Sequence, residues 1–552
     1  MPLQGLPEDI LLDIFERLHV YDILSLRQTC RTLELATRER AVWHEALSRH
    51  ARQSGLPIPR LQGAEQSALS ANELERLTLR TLRFWSNWQA PQPKECQQIS
   101  IRPYRPTTPT RGARNLAFNF LPDSPGYILV LTLYDDVSHN RRYCFELWDI
   151  SCTSSAVFVD DIQVEALLGY AVNRVRGSSN AMIVTRRDPT SQQCITELYR
   201  IDLPRTEGSS CFQRVNHFPG YKNTIGLHGS RLIATDADQD VRVLDVDAGR
   251  LEFTLKPPVM LDDPTLRFAE RQCMDAVIVD DFLLSFCKQF IYLYHLPPRS
   301  HDNSNSQEPP QLDAIAAYKW RWRIDTLVAQ PRLHLSRSLG HGTPSAPAPP
   351  PLIDILIRFD TWFPWPVNIL HHFVLAPNPA YHSAAYPADP TAIPYLLAQD
   401  GPFMVHALPS PLRIFTPSDV ALGAHGTALW IDAATDGGAA AQAGDHGQRV
   451  AGKVLTRAPL PGLRARVRPG DDAVSPGLAA EVEGEGEEAH ETGADGVREA
   501  PGPTMRGGTT VSVFQAHEGE ARWNRVAVDE EGGRVAVGHV DGTVTVMSYV
   551  PL

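Results

Sequence analysis

No stretch of this chain is apolar enough to cross a bilayer as a helix. The longest apolar runs, such as YILVLTLY at Tyr127–Tyr134, fall far short of the roughly 20 residues that such a helix needs. The N-terminus carries Glu8 and Asp9 where a secretory leader needs basic residues ahead of an apolar run. Cysteine is scarce, with eight in 552 residues and no C-x-x-C pair, which argues against a zinc site or a disulfide framework. Basic charge is in deficit as well. The net charge is −12, and the segment Asp471–Glu499 supplies −9 of it through ten acids against Arg498 alone. The remainder is close to neutral, so neither nucleic acid nor an anionic membrane is an expected partner. These features suit a protein of the cytosol or nucleus.

Catalytic signatures are also missing. GQRVAGKV (Gly447–Val454) has the G-x-x-x-x-G-K spacing of a phosphate loop, but Val454 replaces the magnesium-binding Ser or Thr. The preceding residues are rich in Ala and Gly and read as no strand, so chance explains the match. His371–His372 has no third ligand at metal spacing and reads as a core or surface histidine pair. No G-x-S-x-G elbow and no convincing Cys/His pairing occur. The expectation is a protein that is not an enzyme, with no catalytic residues, no metal and no cofactor.

What the chain does contain begins at once. Leu6–Arg31 reads LPEDILLDIFERLHVYDILSLRQTCR, and Trp43 follows twelve residues later. Pro7 suits the first turn of a helix, and Glu8 and Asp9 favour its positive end. Ile10, Leu11, Ile14, Phe15 and Leu18 then recur at helical spacing as a wide apolar stripe. Asp22 is a plausible N-cap for a second helix carrying Ile23, Leu24 and Leu26. A third helix starts near Cys30, and Val42 and Trp43 lie on a fourth. So short a segment cannot bury all of these residues in a core of its own, so part of the apolar surface should await a partner.

The order of Leu-Pro, two acids, an aliphatic run, Ile-Phe, Leu, Asp-Ile, Leu, Cys-Arg and Trp resembles an F-box. The resemblance implies docking onto the small Skp-family adaptor of Skp–cullin–F-box ubiquitin ligases, and through it onto a cullin. It implies adaptor contacts at Leu6, Pro7, Ile10, Leu11, Ile14, Phe15, Leu18, Ile23, Leu26, Cys30 and Trp43.

Leu69–Trp88 reads as a strong helix. Ser70 and Glu73 form a capping box, and Leu69 with Leu74 can close a hydrophobic staple across it. Leu74, Leu77, Leu82, Trp85 and Trp88 favour one side, and Pro91 and Pro93 end the helix. In proteins that this one resembles, such a helix joins the F-box firmly to the substrate domain.

From about Arg111 the chain turns to short apolar strands between turns. One hairpin design recurs: RLIAT before Asp238 and Val241–Asp245, FLLSF before Lys288 and Ile291–His295, YLLAQ before Asp400-Gly401 and Phe403–His406, and RVAVG before Asp541-Gly542 and Val544–Ser548. FELWDI (Phe145–Ile150) looks like the strand ending that names WD repeats. Positions equivalent to its Trp148 fall at Tyr199, Leu244 and Tyr294, spaced 51, 45 and 50 residues apart. That period is near that of a four-stranded propeller blade. The C-terminal unit Val511–Tyr549 reads as the closing blade.

Two kinds of segment stand apart from the strands. Arg299–Gln311, Leu339–Pro351 and the tract from about 433 to 508 are too poor in apolar residues to order themselves. KWRWR (Lys319–Arg323) reads as a strand with Trp320 and Trp322 on one side and Arg321 and Arg323 on the other. The two arginines are the candidate substrate contacts, able to grip a phosphorylated or acidic segment.

The expected fold is multidomain: an all-α F-box (residues 1–50) and linker helix region (51–95), then an all-β, WD-repeat-like propeller of seven blades (96–552) with a low-complexity insertion at about 433–508. A β-sandwich is the runner-up for the second part. The expected function is substrate recognition within the ligase, and the rival is a scaffold outside it that uses the propeller for protein–protein contacts.

Overall fold

The computed structural model describes residues 6–59, 68–103, 110–136, 141–152, 155–203, 210–257, 272–297, 309–333, 350–360, 367–381, 389, 391–397, 401–411, 419–433, 447–455, 511–517 and 522–550. Four short helices open the chain: α1 (Glu8–Arg17), α2 (Val20–Arg27), α3 (Arg31–Ala36) and α4 (Arg40–Leu47). The second begins earlier than the sequence suggests. His19 is its N-cap and Asp22 sits in the first turn. Val20 is fully buried, so the core draws the helix start back, and the Asp22 charge still favours the helix dipole. Phe15, Ile23, Leu33 and Trp43 fill the centre of this small core.

α5 (Ala71–Trp88) starts with the expected capping box: the Ser70 hydroxyl accepts from the Glu73 amide, and the Glu73 carboxylate accepts from the Ser70 amide. Leu69 and Leu74 are both buried in the same small core.

Seven sheets follow, six of four strands and one of five, with neighbouring strands antiparallel except at one edge. This is a seven-bladed β-propeller. Blade 1 runs from Thr110–Phe120 to Val157–Glu165, and blade 2 from Leu167–Val172 to Phe212–Pro219. Blade 3 takes a fifth strand, Gln311–Asp313, which pairs in parallel with Arg250–Lys256. Blade 7 joins the two ends of the array. Its first three strands are Trp523–Asp529, Arg534–His539 and Val544–Ser548, and its outer strand is Gln97–Ile101, with Ile99 opposite Val546. Closing the ring this way leaves no open sheet edge between its ends.

Trp148, Tyr199, Leu244 and Tyr294 all lie on the third strand of their blades, as the sequence spacing implied. Three departures from the sequence reading are instructive. Tyr395–Leu397, the described part of YLLAQ, forms no strand: the partner of Phe403–Pro411 is Val367–Leu375, and Tyr395 is instead buried with its hydroxyl bonded to the Pro351 carbonyl at 2.5 Å. Ser512–His517 is the outer strand of blade 6, so it does not belong to the closing blade. Within the tract read as an insertion, Gln448–Val454 is a central strand of blade 6, paired on both edges. That strand is the G-x-x-x-x-G-K match, and a Cβ on Gly452 would meet Leu429 and Phe514 at 2.5 Å. It is extended, packed backbone with no loop to cradle a phosphate. Residues 456–510, which include the acidic segment, lie outside the described residues.

Candidate functional site: the helical face and the two propeller rims

The first site is built on α1. Its stripe splits between interior and surface. Leu11, Phe15, Ile23 and Trp43 are buried in the helical core. Trp43 donates its indole N–H to the Thr37 carbonyl at 2.9 Å. Leu6, Ile14, Leu18, Leu26 and Cys30 are half-buried, and Pro7 is exposed. Ile10 is 42% exposed, although a large aliphatic side chain gains most when it is covered.

Two residues that the sequence reading left out share that property: Tyr21 is 47% and Leu35 61% exposed. The signal for Leu35 was its position two residues beyond the inward-facing Leu33, which turns it to the opposite side of α3. Together these side chains give the helical domain an apolar surface without a cover among the described residues.

The second feature is the junction. Leu74 and Leu77 of α5 belong to the core of the helical domain, whereas Phe84 and Trp88 of the same helix belong to a core shared by blades 6 and 7. Trp88 is 1% exposed, donates to the Thr427 hydroxyl at 3.0 Å, and meets Phe514 and Tyr549 edge-on. The Asn87 amide donates to the Tyr549 carbonyl at 3.1 Å. Gly533 turns with φ +59°, and an added Cβ would lie 2.8 Å from Phe84 Cε2, so only glycine fits beneath the helix. On the other flank, Arg27 grips Glu75 with two hydrogen bonds of 2.7 and 3.0 Å, tying α2 to α5.

Strand direction alternates within each blade, which gives the propeller two different rims. One carries the turns between first and second strands and between third and fourth. The other carries the turns between second and third strands and the crossovers between blades. Gly533, His425 and Tyr549 are all on the first rim, and His425 Nδ1 lies 3.3 Å from the Gly55 carbonyl of the helical domain. The helical domain therefore meets the first rim. A polar cavity of about 680 Å³ opens on that rim at the ring's centre, lined from the inner strands of six blades.

Arg321 and Arg323 lie on the second rim, in the crossover from blade 4 to blade 5. The expected strand ends at Lys319, and Trp320–Arg323 form a bend. The cause is Trp320, which is 1% exposed and wedged against Tyr318 and Phe373. The two arginines are not presented together: Arg321 stacks over Trp322 at 4.7 Å, and Arg323 lies 3.7 Å from Asp360.

Blade 5 holds a buried polar cluster. Asp354 receives two bonds from Arg332, 2.7 and 2.5 Å, and one contact from His372 Nε2 at 2.9 Å. Burial lowers the His372 pKa, against the opposing pull of Asp354. His371 packs against Phe359 and is pushed down to about 4 by burial. Among the described residues no three His, Cys, Asp or Glu side chains converge as a metal site, and no helix is long and apolar enough to cross a membrane.

With this geometry established, a helical domain continuous with a seven-bladed propeller defines the class. Residues 3–49 match the F-box-like family model, so the chain carries an F-box-like domain ahead of its propeller, and F-box domains generally bind Skp-family adaptors. No curated protein matches the chain in sequence. Among solved structures it is similar to the β-propeller domain of Cps50 (Swd1) from Myceliophteria thermophila, at 12% identity and TM-score 0.38, over 81% of this chain and 99% of that one. It is also similar to the WD40 β-propeller domain of Doa1, at 10% identity and TM-score 0.31, over 79% and 97%.

Proposed function

We propose that this protein is the substrate-recognition subunit of a Skp–cullin–F-box ubiquitin ligase. The observation that carries the reading is α5, whose two halves are buried in two different cores. A helix shared in that way holds the adaptor handle and the propeller in one fixed relation. On this reading the apolar surface around Ile10, Tyr21 and Leu35 receives the adaptor, which brings the cullin. The second rim of the propeller, away from the helical domain, captures the target. The protein supplies geometry to the ligase, and its partners supply the chemistry, in the cytosol or nucleus.

The test is an affinity purification of the full chain, quantified for adaptor and cullin. Both should be recovered in comparable amounts, and removal of residues 6–52 should abolish both. Recovery of the adaptor without the cullin would replace the ligase reading with that of a scaffold.

A further inference from the structure

Lysine is nearly absent from this chain. Six lysines stand against 46 arginines, with none before Lys94 and none after Lys453. The four opening helices and α5 therefore carry no lysine at all. In a ligase this distribution has a chemical meaning. The lysine amine is the side chain that accepts ubiquitin, whereas a guanidinium stays protonated and is no nucleophile.

All six lysines are among the described residues, and four of them share one place. Lys222 directly precedes the first strand of blade 3, and its amide donates to the Thr235 carbonyl at 2.7 Å. Lys256 ends the fourth strand of the same blade. In blade 4, Lys288 sits in the turn between the second and third strands, and Lys319 ends the fourth. Crossovers and turns between second and third strands define the second rim, so all four lysines lie there on neighbouring blades. Lys222, Lys256 and Lys319 are exposed, and Lys288 is half-buried. Among the described residues none of the four forms an ion pair, and the Lys319 ammonium rests over the Phe290 ring at 5.7 Å. The two blades are also joined: Gln311–Asp313, which lies between the third and fourth strands of blade 4, pairs with the outer strand of blade 3 and sets Asp313 opposite Lys256.

The remaining two lysines are placed differently. Lys94 lies on the first rim, where the Asn87 side chain of α5 holds its backbone through two hydrogen bonds of 2.8 Å. Lys453 is half-buried near the first-rim end of the third strand of blade 6.

We propose that Lys222, Lys256, Lys288 and Lys319 are the sites at which the assembled ligase modifies this chain itself, and that the helical domain and the first rim escape modification. The proposal rests on the receptor reading, in which the target is held on the second rim. A ubiquitin thioester that reaches a target there also reaches the amines of that rim. In the transfer, a lysine amine that has given one proton to water attacks the thioester carbonyl. The C–N bond forms as the C–S bond breaks, and the second amine proton leaves with the carrier enzyme's thiol. Nothing is oxidised or reduced.

The test incubates the full chain, without a target, with the adaptor–cullin ligase, the enzymes that activate and carry ubiquitin, ATP and lysine-free ubiquitin. The wild-type chain should gain ubiquitin, and peptide mass spectrometry should find the diglycine remnant on the four second-rim lysines. Replacing all four with arginine should slow conjugation at least about tenfold, because the remaining amines lie on the other rim. The charge is kept, so the melting temperature and adaptor recovery should not change. Lys94→Arg combined with Lys453→Arg should leave the rate as it is. Conjugation at the wild-type rate in the fourfold variant, or remnants concentrated on Lys94, Lys453 or the N-terminal amine, overturns the proposal. A wild-type chain that recovers the cullin yet gains no ubiquitin also overturns it and leaves the receptor reading standing. A chain that recovers no cullin overturns the receptor reading, and the proposal with it.

Discussion

Arg332 shows what a single side chain contributes here. It is 8% exposed and holds a carboxylate that is 1% exposed. Arg332→Ala leaves Asp354 charged, buried and supported only by His372, which should cost about 3–5 kcal/mol. Chemical denaturation measures the loss, and Asp354→Leu in the same background should restore much of it by removing the stranded charge.

Buried imidazoles set the acid behaviour. Burial first, with further causes behind it, lowers His228 to about 3, and His371 and His406 to about 4. Each is neutral when folded, yet takes up a proton on unfolding below its ordinary value of about 6.5. Stability should therefore fall as the pH drops from about 6.5 towards 4. Asp432 opposes this, because burial raises it to about 6 and the folded state gains from its protonation below that pH. Burial raises Asp240, Asp419 and Glu530 as well and lowers His50, His295 and His372, so six imidazoles stand against four carboxyls and the net slope is destabilising. His406→Gln should reduce that slope by about one proton in a pH series of unfolding curves, and an unchanged slope would exclude His406 from the effect. At this scale the sequence was only partly legible. The stripe of α1 could be read from spacing, but which of its members face inward depends on α3 and α4, which pack against α1 from elsewhere in the chain.

Among the elements, α5 was legible almost completely, because capping box, staple and apolar periodicity are local. Its packing was not. Nothing within Leu69–Trp88 shows that Trp88 enters the propeller, since Phe514 and Tyr549 are more than 400 residues away in sequence. Trp88→Ala should cost about 3–5 kcal/mol through the cavity it leaves and loosen the junction, while isolated adaptor binding persists. Differential scanning calorimetry should then resolve two transitions where the wild type shows one, and a single unshifted transition would contradict the shared-core account. The strand Gln448–Val454 was hidden by its flanks. It lies beside Ala/Gly-rich sequence, and its small residues Ala451 and Gly452 suit a tightly packed position that Leu429 and Phe514 crowd from either side. KWRWR misled for the opposite reason: its alternation mimics a strand, but burial of Trp320 ends the sheet there.

In the whole molecule, closure depends on residues at opposite ends of the chain. Truncation before Arg522 removes three of the four strands of blade 7 and leaves Gln97–Ile101 without a partner. The product should be insoluble or rapidly proteolysed, and a soluble product with an unshifted melting transition would contradict the closed ring. The blade period was legible because Trp148, Tyr199, Leu244 and Tyr294 repeat on equivalent strands. The identity of the outer strand was not, because Gln97–Ile101 acquires its meaning only from Val544–Ser548.

The account's central claim is that the exposed face of the helical domain is an adaptor-binding handle fixed to an intact propeller. It is tested most directly by titrating purified Skp-family adaptor against the full chain and against Ile10→Asp combined with Tyr21→Asp. Loss of two exposed anchors, at about 2 kcal/mol or more each, predicts a weakening of several hundredfold or greater with an unchanged melting temperature. Equal affinity of the two proteins for the adaptor would contradict it.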